Sequence, residues 1–473
     1  MYINYLRNHF WNDGLSIEAA FNYSAMLGYL FQDVWISEEL MGIDFSQRIP
    51  LIKRIRELGD YPVVTLAGLE SMHGDEHAAF FASMRLDAAK ETLDYTVPSQ
   101  NFPSYGLACL RAGAPGARME FLMDYQNVTL HAHPARLNLQ LFYQGVNLLP
   151  DVGYEAHNGK LGDARFKSLD YPFELMESPA FAKDVVEGHN TGTALGNQFG
   201  HNSLCFERYS GKPGNPLQMV QVEGKWIYDT GKWPTGVEIP EVSIFNRQIA
   251  ALTLPNGRAL GVDFFRMQGG WRHDVYWHAP AARTECNLTD SSKINAPSLL
   301  EYYQANATPR PGWMKEATYN YHYKTNVRKV PYFEGLGLFE NPVEWRLKAA
   351  PWKINWQIDP SRYAPITAAG WSRYEPWDRW LRPVNLDLWG HALGDGVSEN
   401  KLFGATAPWA SNLEMGTLSS SGRMAFKDGF QAVVAHRQGS DADAIRSTFV
   451  HLLDPATQGQ GATLSSMKVV EAI

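Results

Sequence analysis

The sequence predicts an α+β protein in which a helical segment, residues 1–97, precedes a large antiparallel β-sandwich, residues 98–473. Two observations predict this order. Apolar residues recur at helical spacing before residue 97, whereas short β-branched and aromatic runs divided by Gly, Pro and Asn fill the remainder. Because the chain has 473 residues and 45% of them are hydrophobic, it is long enough to bury a sizeable core.

Three helices are predicted in the first segment. One follows the Asn12-Asp13-Gly14 turn and carries apolar residues at helical spacing from residue 17 to residue 29. Two further amphipathic helices are predicted at 51–58 and 77–93. Pro50 suits the first turn of the earlier one, because a first-turn residue needs no amide hydrogen.

The sandwich is predicted from short strand-like runs with no long helix between them. These runs are 105–111, 118–125, 137–149, 203–209, 219–228, 243–254, 259–267, 274–278, 352–358, 384–388, 431–436 and 448–453. Residues 287–345 are rich in Asn, Pro, Tyr and Gly and show no clear period. We therefore expect a long excursion from the sandwich there, and long loops are often functional.

The charge balance bears on the kind of partner. A net charge of −8 argues against nucleic acid, which basic proteins hold by bulk electrostatics. If the substrate is acidic, local Arg and His side chains must bind it.

Three sequence features concern disulfides, membrane spans and secretion, and the cysteines do not identify the compartment. The cysteines, Cys109, Cys205 and Cys286, are too few for a disulfide framework. No apolar stretch approaches the roughly 20 residues that span a bilayer. The first residues also lack the basic and then apolar layout of a secretory signal.

A possible metal half-site lies between residues 130 and 153. His131 and His133 are two residues apart, so on an extended segment they project to the same face, and Asp151 ends a second apolar run. Zinc accepts neutral imidazole and carboxylate ligands. The alternative is that the two histidines are surface imidazoles on a strand.

Two histidines compete for the place of a third ligand, His189 and His201. His201 directly precedes an apolar strand that would hold it rigidly, so His201 is favoured over His189.

Two further groups of residues are candidates for chemistry. Glu18, Asn22 and Tyr23 fall in the first turns of the helix that follows the Asp-Gly turn, although a lone Tyr there is commonly a core residue. Residues 263–278 form a predicted hairpin around Gly269-Gly270. Arg272, His273 and His278 decorate that hairpin, and the simpler interpretation is polar side chains satisfied within it.

In this order, these segments resemble the heparinase II/III-like polysaccharide lyases. That family has a His-Gly-His-x-Asp element, an Asp-x-Gly strand end, a His-Asn-Thr element and a Gly-Gly-x-x-His-Asp hairpin. Residues 131–135, 151–153, 201–203 and 269–274 match them loosely. The family's Asp-Gly-x-x-x-Glu-Gly-x-x-x-Tyr element is matched by residues 13–23, and 447–455 are similar to its late sandwich strand.

The resemblance implies an incomplete α/α toroid, of which residues 1–97 would be a remnant, joined to the sandwich. It implies β-elimination at a uronic acid of an acidic polysaccharide. Tyr23 would be the general acid, with the base role also open to it, and His131 the partner base or the neutraliser of the carboxylate. His133, Asp151 and His201 would hold a structural zinc that fixes the loop presenting His131.

The resemblance also assigns substrate contacts to Glu18, Asn22, Arg272 and His273. Three positions depart from the family pattern, Ala132, Ala135 and Ala19. Because the family has many more helices before the Asp-Gly element, we expect an N-terminally truncated member. The family usually works in the periplasm or outside the cell, which is the location expected here.

Two other classes of function stay open. The chain could be a non-catalytic carbohydrate-binding protein or an inactive fragment of a lyase, because a truncated toroid need not close a cleft. It could also be a zinc-dependent or glycoside hydrolase built on the histidine pair. Eliminative cleavage separates these classes, because it creates a 4,5-unsaturated uronate that absorbs in the near ultraviolet.

Overall fold

The computed structural model describes a protein built mainly from antiparallel strands. The residues it describes are 36–54, 99–125 except 105, 137–149 except 145, 190–195, 203–226 except 213, 243–269, 272–306, 318–319, 328–329, 339–359 except 349, 363–365, 383–407, 424–426, 430–439, 445–468 and 470.

Helical structure before residue 98 is described only in part. Residues 36–41 and 50–54 are helical, and a 3-10 helix covers Phe45–Gln47. Asp44 caps this 3-10 helix by accepting a hydrogen bond from the amide of Ser46 over 2.9 Å. Pro50 is the first helical residue of its segment, as predicted. The helices expected at 17–29 and 77–93 lie outside the described residues, so the toroid remnant stays a prediction.

The strands are numbered in chain order. They are β1 (Gln100–Phe102), β2 (Leu107–Ala112), β3 (Met119–Asp124), β4 (Asn138–Tyr143), β5 (Val146–Leu149), β6 (Gly192–Leu195), β7 (Ser203–Ser210), β8 (Leu217–Trp226), β9 (Ile244–Thr253), β10 (Ala259–Gln268), β11 (Arg272–Ala279), β12 (Ala281–Cys286), β13 (Ser291–Lys293), β14 (Thr318–Tyr319), β15 (Arg328–Lys329), β16 (Glu340–Trp345), β17 (Trp352–Ile358), β18 (Tyr363–Pro365), β19 (Val384–Leu393), β20 (Glu399–Ala407), β21 (Met424–Phe426), β22 (Phe430–Gln438) and β23 (Arg446–Thr457).

Three antiparallel sheets contain most of these strands. A five-stranded sheet has the order β1-β2-β3-β4-β5, and an eight-stranded sheet has the order β12-β17-β19-β23-β10-β9-β8-β7. A six-stranded sheet has the order β13-β16-β20-β22-β11-β6. Two short ribbons, β14-β15 and β18-β21, complete the described strands.

The eight-stranded sheet forms one layer of a sandwich, and the other two sheets lie against the same face of it. The ring of Phe121, from the five-stranded sheet, packs against Gly261 on β10. A Cβ added at Gly261 would lie 2.3 Å from Cζ of this ring, so only glycine leaves room for it. On the same face, His451 of β23 meets Trp277 of the six-stranded sheet with ring centroids 4.9 Å apart. One hydrophobic core therefore joins all three sheets, and the predicted antiparallel sandwich is confirmed.

The outer face of the six-stranded sheet carries a second, smaller core. The helix Leu299–Asn306 packs there through Leu299 and Tyr303, against Tyr276, Phe403 and neighbouring residues. Residues 287–345 thus supply this helix and two strands of the sheet, β13 and β16, where the sequence predicted only an excursion. The domain boundary at 97/98 stays a prediction.

In the part of the chain that the structure describes, no helix is long and apolar enough to cross a membrane.

Candidate functional site

Strand β11 is buried on both faces, and its two faces differ in chemistry. Val275 and Trp277 belong to the central core, whereas Tyr276 belongs to the outer core under the helix. Because side chains alternate along a strand, Arg272 and Asp274 share the outer face with Tyr276. This strand therefore places ionisable groups under the helix Leu299–Asn306.

A buried polar cluster, Arg272, Asp274, His436 and Tyr303, lies on this outer face. Nη2 of Arg272 lies 2.5 Å from Oδ2 of Asp274, and Nδ1 of His436 lies 2.6 Å from Oδ1 of the same carboxylate. The guanidinium carbon of Arg272 stands 4.2 Å from the ring centroid of Tyr303. The cation thus has an anion on one side and an aromatic face on the other.

The pKa values of this cluster follow from burial and charge. Burial alone would raise the pKa of Asp274, but Arg272 and His436 outweigh it, so the pKa lies below its usual value. Burial lowers the pKa of His436, and Asp274 opposes this shift only in part. At neutral pH His436 is therefore neutral and donates its Nδ1 proton to an ionised Asp274. These four residues hold β11, β22 and the helix together.

His273 faces inward and anchors the hairpin turn. Its Nε2 lies 2.7 Å from the carbonyl oxygen of Gly269, and its Nδ1 lies 2.8 Å from Oγ of Ser447 on β23. The carbonyl can only accept, so Nε2 carries the proton and Nδ1 accepts from the serine. Burial lowers the pKa of His273 to about 4, and the ring is neutral at neutral pH.

A second polar cluster, Arg247, Asp263 and His451, lies inside the sandwich. All three side chains are fully buried. Nε of Arg247 donates to Oδ1 of Asp263 over 2.8 Å, and Nδ1 of His451 lies 3.0 Å from Oδ2. Burial would raise the pKa of Asp263, but Arg247 and His451 outweigh it and lower the pKa. Burial also lowers the pKa of His451, so this histidine is neutral.

Arg247 also binds two backbone carbonyls from distant parts of the chain. Its Nη1 donates to the carbonyl oxygen of Leu137 over 2.6 Å and to that of Asn190 over 2.7 Å. Asn190 in turn accepts from the amides of Leu139 at its carbonyl and of His278 at Oδ1, over 3.1 and 2.6 Å. We call this point, where the three sheets meet, the Arg247–Asn190 junction.

Most of the predicted site residues lie outside the described residues, and their roles stay predictions. These are Glu18, Asn22, Tyr23, His131, His133, Asp151, His189 and His201. Arg272 and His273 are described, and both are buried and bonded within the protein. Their proposed contact with substrate also stays a prediction. Within the described ranges, no three His, Cys, Asp or Glu side chains are grouped to hold a metal.

Sequence reasoning missed Arg247, Tyr303, His436 and His451, and it placed Asp263 and Asp274 only within the predicted hairpin. Asp263 and His451 each stand between apolar neighbours on a strand, which was a usable signal, whereas Arg247 stands between Asn246 and Gln248. Buried charges are rare unless they are paired, so a polar residue at such a position predicts a buried hydrogen-bond or ion-pair partner.

No family model matches the chain, and no curated protein matches it. Among solved structures, a heparinase III is similar at 11% identity and a TM-score of 0.49, over 96% of this chain and 54% of that one. The heparan sulfate lyase of Pedobacter heparinus is similar at 12% identity and a TM-score of 0.46, over 97% of this chain and 55% of that one. The chain thus spans about half the length of these structures. Likeness at this level does not establish a family.

Proposed function

We propose that the protein is a polysaccharide lyase that cleaves a uronic-acid-containing polysaccharide by β-elimination. Five sequence elements in the order of the heparinase II/III-like lyases support the proposal, and so does the antiparallel sandwich. One structural observation carries it further. Leu137 and Asn190, the described residues next to two of the candidate segments, meet at the Arg247–Asn190 junction.

The convergence follows from hydrogen bonds and register. Leu137, four residues after His133, and Asn190, one residue after His189, share the Nη1 donor of Arg247. Leu149 ends β5 two residues before Asp151 and pairs with Leu141, so the chain leaves β5 toward the start of β4. His131, His133, His189 and Asp151 themselves lie outside the described residues, between one and six positions along the chain from Leu137, Asn190 and Leu149.

The chemistry of β-elimination defines the roles. A base removes the C5 proton of the uronate, a donor or cation neutralises the carboxylate, and an acid protonates the departing O4. Tyr23 is the proposed general acid, with the base role also open to it. His131 is the proposed partner base or neutraliser of the carboxylate. Glu18 and Asn22 are proposed substrate contacts.

We further propose a zinc site held by His133, Asp151 and a third histidine, since zinc favours imidazole and carboxylate ligands. The metal would fix the chain that presents His131 and would supply no nucleophilic water, because elimination needs none. The junction favours His189 as the third ligand. His189-Asn190-Thr191 also has the letters of the family's His-Asn-Thr element.

His201 is the weaker candidate for the third ligand. Ser203, two residues after it, opens β7, the edge strand of the eight-stranded sheet. Strand β7 lies two strands away from β9, which carries Arg247, and that separation is about 10 Å.

The two described members of the predicted substrate site fit a supporting role better. Arg272 is 1% exposed and His273 is fully buried, so direct contact with a polysaccharide would require both to leave their partners. The location outside the cytoplasm stays an expectation.

The deciding experiment is a near-ultraviolet assay of the purified protein on heparan sulfate, alginate, ulvan and other uronate polysaccharides. We expect absorbance from the 4,5-unsaturated uronate to rise with time on one of them. Release of reducing ends without this absorbance would identify a glycoside hydrolase, and binding without cleavage a carbohydrate-binding protein. Either result would overturn the proposal.

The roles are tested with Tyr23→Phe and His131→Ala. Loss of an acid or base typically lowers the rate about 10²- to 10⁴-fold, so each variant should lose most of kcat. His391→Ala is the matched control, because His391 lies partly exposed on β19, outside the proposed site. Activity of either site variant at the level of this control would remove that residue from the mechanism.

A further inference from the structure

The outer face of the eight-stranded sheet, which points away from the central core, is apolar along its middle strands. Side chains alternate along a strand, so the outward residues are those between the core positions. On β10 they include Leu260, Val262 and Phe264, and on β23 they include Val450 and Leu452. All of these except Leu260 are partly exposed.

Strand β17 of the same sheet shows what an ordinary outer face carries. Its outward residues are Lys353, Asn355 and Gln357, between tryptophans and isoleucines that belong to the core. A sheet with one face in water is expected to alternate in this way. The middle strands therefore depart from the pattern that their own neighbour follows.

The apolar residues of the outer face are continuous across the strands. Cross-strand register sets Val262 between Leu452 on β23 and Ala250 on β9, and it sets Ala250 beside Met219 on β8. A parallel row consists of Leu260, Leu252 and Leu217. We call these residues, with Phe264 and Val450, the outer apolar patch. Leu217 at its margin is 41% exposed. Contiguous apolar patches on a protein surface mark interaction sites.

We propose that this face docks on the same face of a second copy of the chain, about a two-fold axis that runs along β9. Arg266 and Glu223 carry the argument, because both pair with Asn246 of β9 and so flank that strand on opposite sides. An axis along β9 places β10 of each copy opposite β8 of the other. Arg266 of each copy then faces Glu223 of the other, across the gap of about 10 Å between packed sheets.

The same axis matches the apolar residues. Val262 of each copy faces Met219 of the other, since both pair with Ala250, and Leu260 faces Leu217. Ala250 itself lies on the axis, where a small side chain lets the two copies of β9 approach. An axis along β10 would instead set Arg266 against Arg266, and facing like charges oppose binding.

The area of this face suits a stable dimer. Strands β8, β9 and β10 have ten residues each, which extend about 34 Å. The five strands centred on β9, from β7 to β23, span about 24 Å. The face therefore offers roughly 800 Å² per copy, which each partner buries in an interface of standard size.

The composition of the patch favours a protein partner over a glycan. Sugar rings stack on aromatic faces, whereas Phe264 is the one aromatic member of the outer apolar patch. Aliphatic side chains with charges at their margin form the usual protein interface, an apolar centre with a polar rim. The inference goes beyond the proposed lyase function and does not depend on it.

The first test is the mass of the full chain in solution, by light scattering and sedimentation velocity. Interfaces of this size have Kd values from micromolar to picomolar, so at about 50 μM protein we expect the mass of two copies. The mass of one copy at that concentration would overturn the inference. If the monomer also binds an immobilised uronate polysaccharide, and Val262→Glu weakens that binding, the face is a glycan site instead.

The second test places the interface. Val262→Glu puts a charge into the patch, and Arg266→Glu sets like charges opposite each other twice in the dimer. Each should raise the dimer Kd at least about 100-fold, measured over a dilution series. Gln357→Glu is the matched control, because it adds the same charge to the same face on β17, outside the five strands, and should change Kd less than about twofold. A dimer whose Kd the patch variants leave unchanged would overturn the inference.

The third test exchanges the two charges. Glu223→Arg alone should weaken the dimer as Arg266→Glu does, and the two substitutions together should restore Kd to within about tenfold of the wild type. Damage to the fold would not be repaired in this way, so the exchange also serves if Val262→Glu does not fold. A double variant that dimerises no better than the single ones would overturn the inference.

Discussion

His436 and Asp274 face each other on adjacent strands, and Nδ1 of the histidine lies 2.6 Å from Oδ1 of the carboxylate. Asp274 also binds Arg272, so a single buried anion holds a cation and a neutral donor under the helix Leu299–Asn306. Both Arg272 and Asp274 have side chains no more than 1% exposed. Asp274 is thus a direct counter-charge of this buried cation.

Replacement of Asp274 should therefore destabilise the protein strongly. Asp274→Leu leaves Arg272 buried without its counter-charge, and such a break typically costs about 3–5 kcal/mol. Urea unfolding of the two proteins gives the difference in the free energy of unfolding. Glu285→Gln is the control, because its partner Arg283 and Glu285 itself are 67% and 46% exposed, and an exposed pair contributes about 0–1 kcal/mol. A loss at Asp274 as small as the control's would contradict this account.

A glycine in the eight-stranded sheet gives a second prediction. Gly390 pairs with Trp352, and a Cβ added at Gly390 would lie 2.0 Å from Cζ2 of that indole. Overpacking of this kind costs about 1–3 kcal/mol, so Gly390→Ala should lower the melting temperature. Gly461→Ala has no atom within 4 Å of the added Cβ and should change stability by less than about 0.5 kcal/mol. Equal melting temperatures would show that Trp352 moves aside freely.

The strands that the sequence predicted well are of two kinds. Trp352–Ile358 alternates buried and partly exposed residues at each position and is predicted to the residue, whereas Leu107–Ala112 and Asn138–Tyr143 are continuous buried runs. Strand β20 was missed because it opens with Glu399 and two further polar residues. Gly404 also interrupts its apolar run, and a Cβ at this position would collide with the ring of Trp345. Strand β16 was missed because it contains Pro342.

The polar clusters could be predicted less well than the strands. The sequence singled out Arg272 and His273 in the hairpin but gave them a role toward substrate. His436 binds Asp274 from 162 residues away along the chain, and Ser447 binds His273 from 174 residues away. A single sequence shows which residues alternate along a strand, but not which strands become neighbours.

His273 should make stability depend on pH. Its pKa falls from 6.5 in the unfolded chain to about 4 in the folded one, so between these values the unfolded state binds more protons. Stability is therefore lost as the pH falls from about 6.5 to about 4, and this one group accounts for about 2 kcal/mol between pH 7 and pH 5.

His273→Gln removes the titrating group and isolates its share. The difference in unfolding free energy between pH 7 and pH 5 should shrink by about 2 kcal/mol in this variant. His391→Gln is the comparison, because burial and Arg437 lower the pKa of His391 too, but this partly exposed ring on β19 should contribute less to the pH dependence than the fully buried His273. An unchanged pH dependence in His273→Gln would show that His273 titrates normally in the folded protein.

The choice between His189 and His201 gives the last prediction. Asn190, which follows His189 in the sequence, is held by Arg247, Asn138 and His278, and Arg247 also binds the carbonyl of Leu137. We expect His189→Ala to lose zinc and His201→Ala to retain it, as measured by elemental analysis of the purified proteins. A zinc bound to the folded state alone stabilises it, so a chelator should lower the melting temperature of the wild type and of His201→Ala. The chelator should leave that of His189→Ala unchanged, because this variant has no metal to lose. The reverse pattern would assign the third ligand to His201.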